Sequence, residues 1–132
     1  MATTTAAFTL TSTDLLTDDL ALSTTQTLYN APGYTTGLQR LKVQATAVHA
    51  TATVLYTADD FAAIPYLYIK NTATTVGHKI YVYDDSTSGD PLQFQLDAGD
   101  WGFIPMHGDK TYKAYATNNP TSVEFMVMGQ DQ

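Results

Sequence analysis

The side chains with chemical potential in this sequence are few, and they do not converge. The three histidines, His49, His78 and His107, lie in different parts of the chain, with no His-x-His or His-x-x-x-His pair. A jelly-roll metal centre of the cupin type would cluster His and Glu on one strand. Glu124, the only glutamate, has no such companions. The stretch DDSTSGD (84–90) sets Asp84, Asp85 and Asp90 among small oxygen-bearing residues. Carboxylates so grouped can hold Ca²⁺. The spacing is not that of an EF-hand loop, and Asp-Ser-Gly runs are ordinary turn composition. A solvated turn is the preferred reading.

Nucleophilic catalysis has no more support. Ser and Thr abound, but no Gly-x-Ser-x-Gly elbow occurs. Thirteen acidic residues include no pair singled out for glycoside chemistry. No Gly-rich phosphate loop or Walker lysine is present. There is no cysteine, so disulfides, thiolate metal sites and a Cys nucleophile are excluded. The residues predict a non-enzymatic protein that needs no cofactor and no metal.

Composition narrows the partners. The 132 residues carry a formal net charge of −7, and the six basic residues are scattered along the chain. Nucleic acid or an anionic membrane would need a basic surface, so neither is an expected partner. No apolar run approaches the ~18 residues of a membrane-spanning helix. The start, MATTTAAFTL, has no basic segment ahead of an apolar one, which predicts synthesis in a cytoplasm without a secretory leader. Only 14% of residues are charged, against about 25% in typical domains. Thr fills much of the gap, and β-branched Thr suits strands with a wet or contacted outer face.

The elements that must position these residues are strands. Period-two alternation recurs at 8–12, 20–30, 38–48, 50–57, 66–71, 78–85, 92–97, 101–106, 111–117 and 122–129. The breaks carry Pro32, Gly33, Gly37, Asn71, Gly77, Gly89, Pro91, Gly99, Gly108, Asn118 and Pro120. Residues 13–20 are either a capped helical turn or a bend, and 58–65 could hold one helical turn closed by Pro65. Short strands at regular spacing predict an all-β protein, an antiparallel β-sandwich of jelly-roll type. Residues 1–7 are expected as a short flexible arm and residues 8–132 as a single domain.

Each strand has an aliphatic face for the core and a second face rich in Tyr and Met. Leu67 and Ile69 oppose Tyr66, Tyr68 and Lys70. Ile80 and Val82 oppose Tyr81 and Tyr83, and Val123, Phe125 and Val127 oppose Glu124, Met126 and Met128. Such half-apolar faces with polar handles serve a partly wet sheet or a protein contact equally well. Tyr66, Tyr68, Tyr81, Tyr83, Met126 and Met128, with Trp101 and Phe103, are the candidate interface residues. The only tryptophan follows the turn Ala98-Gly99-Asp100, read as a hairpin turn with Gly99 at positive φ. Trp101 is expected foremost to plug the open end of the sandwich with its N–H on a loop carbonyl. Its alternative role is an interface anchor.

The motif order carries a resemblance. FTLTSTDLLTDDLALSTTQTLYNA is followed by TTGLQRLKVQATA, YLYIKNTATT, IYVYDD and LDAGDWGFIP. This order resembles small virion structural proteins of tailed bacteriophages, particularly of the cyanobacterial type. The most specific pieces are YIKNT and AGDW-x-F-x-P, and the similarity runs from about Phe8 to the last strand. The resemblance implies a β-rich particle component. Its first implication is a capsid cement or decoration protein, a homotrimer on the outer capsid surface that binds the major capsid protein. A neck or tail protein is the second. A carbohydrate- or host-surface-binding module, stacking sugars on Trp101 and exposed tyrosines, is the reading from a different class.

Overall fold

A computed structural model of the chain describes residues 3–12, 20–29, 36–45, 52–57, 65–85, 92–118 and 120–129. The segments 13–19 and 58–64, where helical turns were weighed, lie outside the described residues, as do His49 and residues 86–90 of the Asp-rich loop. The described residues form ten strands: β1 (Thr3–Ser12), β2 (Leu20–Tyr29), β3 (Gln39–Val43), β4 (Thr53–Tyr56), β5 (Tyr66–Asn71), β6 (Ile80–Asp84), β7 (Leu92–Leu96), β8 (Trp101–Pro105), β9 (Tyr112–Ala116) and β10 (Thr121–Met128). Among the described residues there is no helix, and so none that could cross a membrane.

β3 to β10 form two packed antiparallel four-stranded sheets, ordered β3-β10-β5-β8 and β4-β9-β6-β7. The pairings β3·β10, β4·β9, β5·β8 and β6·β7 nest inside one another like the rungs of a single long ribbon. Folding that ribbon over itself adds the two remaining contacts, β10·β5 and β6·β9. The expected sandwich is therefore present. Period-two patterning builds its interior: β5 alternates half-buried and buried at every residue, placing Leu67, Ile69 and Asn71 inward. Val123, Phe125 and Val127 of β10 meet Ile80 and Val82 of β6 and Ala114 and Ala116 of β9 in one core. The small side chains of β9 leave room for Phe125 and the aliphatic residues between the sheets.

The N-terminal segment differs from expectation. Residues 3–7 are not a loose arm but the first half of β1, paired with β2 from Thr3↔Tyr29 to Ser12↔Leu20. The β-branched threonines that looked like an arm composition are good strand residues once β2 supplies a partner. This hairpin is a separate two-stranded sheet; it adds no residue to the cluster between the two larger sheets, although Leu28 of β2 is fully buried.

The turn before Trp101 is the second difference. Gly99 does take positive φ, at 85°, and Asp100 N–H donates to the Asp97 carbonyl at 3.0 Å. It is not a hairpin, however, because β7 pairs with β6 in one sheet while β8 pairs with β5 in the other. The turn is a corner between sheets. Turn chemistry is local and the same in both uses, so the residues alone do not reveal which strands flank it.

Asn71 pins that corner. Fully buried, it donates through Nδ2 to the carbonyls of His78 (2.7 Å) and Leu96 (3.2 Å) and accepts at Oδ1 from Ala73 N–H (3.1 Å). Its backbone N–H donates to Asp100 O at 2.9 Å, and its carbonyl accepts from Gly99 N–H at 3.1 Å. The motifs YIKNT and AGDW are thus two sides of one joint.

Candidate functional site

Register decides what reaches the outer face of the β3-β10-β5-β8 sheet. With Leu67, Ile69, Gly102 and Ile104 inward, the residues between them point out. The pairings Arg40↔Glu124, Glu124↔Lys70 and Lys70↔Trp101 set four side chains in one row across all four strands. The next row is Met126, Tyr68 and Phe103, followed by Met128, Tyr66 and Pro105. On the other side lie Lys42 and Ser122, also paired. Strand spacing makes the four-residue row about 14 Å long.

The face has a polar end and an aromatic end. At the polar end Arg40 grips Glu124, with Nη2 and Nε at 2.7 and 2.8 Å from Oε2. Tyr68 Oη donates to the other carboxylate oxygen at 3.2 Å. The Arg40 hydrogen bond, aided by Tyr68 and the Arg40 and Lys70 charges, holds the Glu124 carboxyl below its ordinary range despite some desolvation. Burial, with Glu124 beside it, pushes the Tyr68 phenol up. Arg40, Lys42, Lys70, Thr72, Ser122 and Glu124 border a groove of about 570 Å³. Three of the six basic residues, spread from 40 to 70 in the chain, are therefore neighbours in the fold. Sequence inspection missed this, and the signal was present: Arg40 and Lys42 are two apart on one strand, so they share a face.

At the aromatic end, Trp101 is 59% exposed. This overturns its expected role as a core plug. Gly102 and Ile104 take the inward positions of β8, and alternation leaves Trp101, Phe103 and Pro105 outside. Tyr66 and Phe103 stack at 5.3 Å with 9° between their planes. The hairpin comes down beside them: residues 6–8 and Thr24 enclose a groove of about 640 Å³ with Tyr68 and residues 101–103.

The eight candidate interface residues are divided between two faces. Trp101, Phe103, Tyr66, Tyr68, Met126 and Met128 lie on the face just described, where Met128 is buried. Tyr81 and Tyr83 lie on the outer side of the other sheet. Tyr81 stacks on Tyr115 at 5.0 Å, and Tyr83, itself buried, meets Tyr115 edge-on at 5.7 Å. Strand alternation tells which residues avoid the core, but not which sheet they belong to.

The remaining chemistry-bearing residues have structural settings. Asp85 is bound by Lys113 Nζ at 2.7 Å. His78 and His107 lend their carbonyls to Asn71 and Tyr56. Tyr56 and Tyr112 pack at 5.2 Å near one end of the sandwich, and burial raises both phenols. No three described His, Asp or Glu residues are grouped to hold a metal ion. No protein-family model, curated protein or solved structure matches the chain.

Proposed function

We propose that this protein is a virion structural component of a tailed phage, a cement or decoration protein that binds the outer capsid surface. Its sandwich is read as a jelly roll. The nested pairing of eight strands into two sheets supports that reading, and jelly rolls serve viral capsid and lectin domains. The motif order, from the N-terminal hairpin to AGDW, supports the phage assignment.

The observation that carries the proposal is the hairpin. Phe8, Leu10 and Leu22 are 46, 47 and 49% exposed, and Leu10 pairs directly with Leu22. A two-stranded ribbon is marginal by itself. Apolar side chains displayed on one are suited to lie across a neighbouring subunit, whether a sister copy in a homotrimer or the major capsid protein. Binding only the assembled shell would then stabilise it by mass action.

Quantitative mass spectrometry of purified virions tests this. A copy number comparable to the major capsid protein supports the cement role, and a few copies per particle move the protein to the neck or tail. Absence from virions overturns the virion reading.

A further inference from the structure

We infer that the outer face of the β3-β10-β5-β8 sheet is a binding site for an acidic oligosaccharide, one whose sugar rings carry carboxylate or sulfate groups. The inference stands on the geometry of this face and does not depend on the virion role.

Charge is the first argument. The chain carries −7 overall, yet this face gathers Arg40, Lys42 and Lys70 around a single carboxylate. Arg40 is engaged by Glu124, whereas neither Lys42 nor Lys70 has a described carboxylate within 4.0 Å. Two ammonium groups with no described carboxylate partner border the same groove as the Ser122 hydroxyl, while the Thr72 hydroxyl donates to the Ser122 carbonyl at 2.9 Å. That is a donor-rich pocket for an anionic substituent.

The aromatic end supplies the rest. Lys70 is the register partner of Trp101, so the anion pocket runs directly into an exposed indole. A pyranose ring presents a flat C–H face that an indole can cover, while its hydroxyls need acceptors. Glu124 provides one: it is ionised, fixed by Arg40 and Tyr68, and lies between Arg40 and Lys70 in the row that ends on Trp101. Two cations with a hydroxyl acceptor between them and a stacking platform beside the second cation thus share one row of about 14 Å, which suits a short oligosaccharide better than a single sugar.

Nucleic acid also pairs cations with aromatics, but fits worse. Its closely spaced phosphates would meet Glu124 in the middle of the row and the acidic remainder of the molecule around it.

Trp101 is the only tryptophan, so its fluorescence reports directly on this site. The intact protein is titrated with trigalacturonate, a heparin-derived hexasaccharide, neutral maltotriose and oligo-dT, with calorimetry in parallel. Saturable binding of trigalacturonate, of the heparin fragment or of both supports the site and tells carboxylate from sulfate recognition, and maltotriose is expected to leave the signal unchanged. Lys42→Ala and Lys70→Ala should each weaken binding about tenfold, the loss of one charge-assisted hydrogen bond, with thermal melts unaltered. Trp101→Phe, followed by calorimetry, should weaken it less than Trp101→Ala. The inference is overturned if neither acidic sugar binds, if the Lys42→Ala/Lys70→Ala double variant binds as well as the parent, or if oligo-dT binds more tightly than both sugars.

Discussion

Asn71→Ala should be among the most damaging substitutions of a polar residue in this protein. The side chain makes three hydrogen bonds, to His78 O, Leu96 O and Ala73 N–H. The Leu96 bond is buried, and its carbonyl would lose a partner where water does not replace it, a cost of about 1–3 kcal/mol. The other two bonds are partly buried and contribute about 0.5–1.5 kcal/mol each. The total is about 2–6 kcal/mol, and a loss near the middle of that range, about 4 kcal/mol, lowers the Tm of a chain this size by about 12–20 °C. Urea unfolding followed by circular dichroism and Trp101 fluorescence should show the midpoint falling with an unchanged m-value. Asn71→Asp sharpens the test. It keeps the shape but sets an acceptor against two carbonyl oxygens, so at neutral pH it should be worse than Asn71→Ala. The introduced carboxyl would titrate above the ordinary range. Its penalty is therefore largest at high pH and eases as the group protonates and can donate again. A loss below about 1 kcal/mol for Asn71→Ala, or Asn71→Asp no worse than Asn71→Ala at neutral pH, would refute the joint.

Three other outcomes follow from the same structure. The phenols of Tyr56, Tyr68 and Tyr112 are raised above 10.0, chiefly by burial. The unfolded chain releases those protons first, so stability should fall as pH rises past about 10; a phenolate titration should show late-ionising tyrosines, and Tyr56→Phe should remove part of the alkaline loss. Glu124 titrates below 4.5, so its contribution is complete above that value and fades as pH falls through the lowered folded-state pKa. Melting temperatures across the acid range should show that component in the parent and not in Glu124→Gln. Because Trp101 is exposed beside Lys70, iodide should quench its fluorescence more than caesium does, and Lys70→Ala should narrow the difference; equal quenching in the parent would place Lys70 away from the indole.

Most of the sandwich was legible because each of its strands alternates. β5 spans residues 66–71 in the sequence reading and in the structure, and the inward sets Leu67/Ile69, Ile80/Val82 and Val123/Phe125/Val127 are all core. What remained hidden is long-range. Alternation divides a strand into two sides without naming its neighbours, so Tyr81 and Tyr83 were grouped with residues of the other sheet. The corner at Gly99 was read as a hairpin for the same reason. Trp101 was misplaced because W-G-F-I-P permits either phase, and the large apolar indole seemed the natural inward residue. The glycine is inward because Ile69 stands opposite it and Ile104 shares its side of the strand, close to where a Cβ would be. The cation cluster was hidden by pairing alone: β10 brings Glu124 between Arg40 and Lys70, residues 30 positions apart in sequence.

The two proposed activities place opposite demands on the surface, and the fold can meet both. A shell contact is best served by apolar groups that leave water entirely, which Phe8, Leu10 and Leu22 of the hairpin offer. An acidic saccharide needs cations that stay hydrated until it arrives, with an open aromatic beside them. Lys42 and Trp101, both exposed, meet that need on the sheet face. The hairpin borders this face and shares a groove with Tyr68 and Trp101. A neighbour seated on the hairpin could therefore narrow the aromatic end while leaving Lys42 and Ser122, on the far side of the sheet, in solvent. Particle-bound protein should accordingly keep the salt-sensitive, lysine-dependent part of saccharide binding even where the Trp101 response is altered. If particle binding instead abolishes the contribution of Lys42, the sheet face and not the hairpin is what meets the shell.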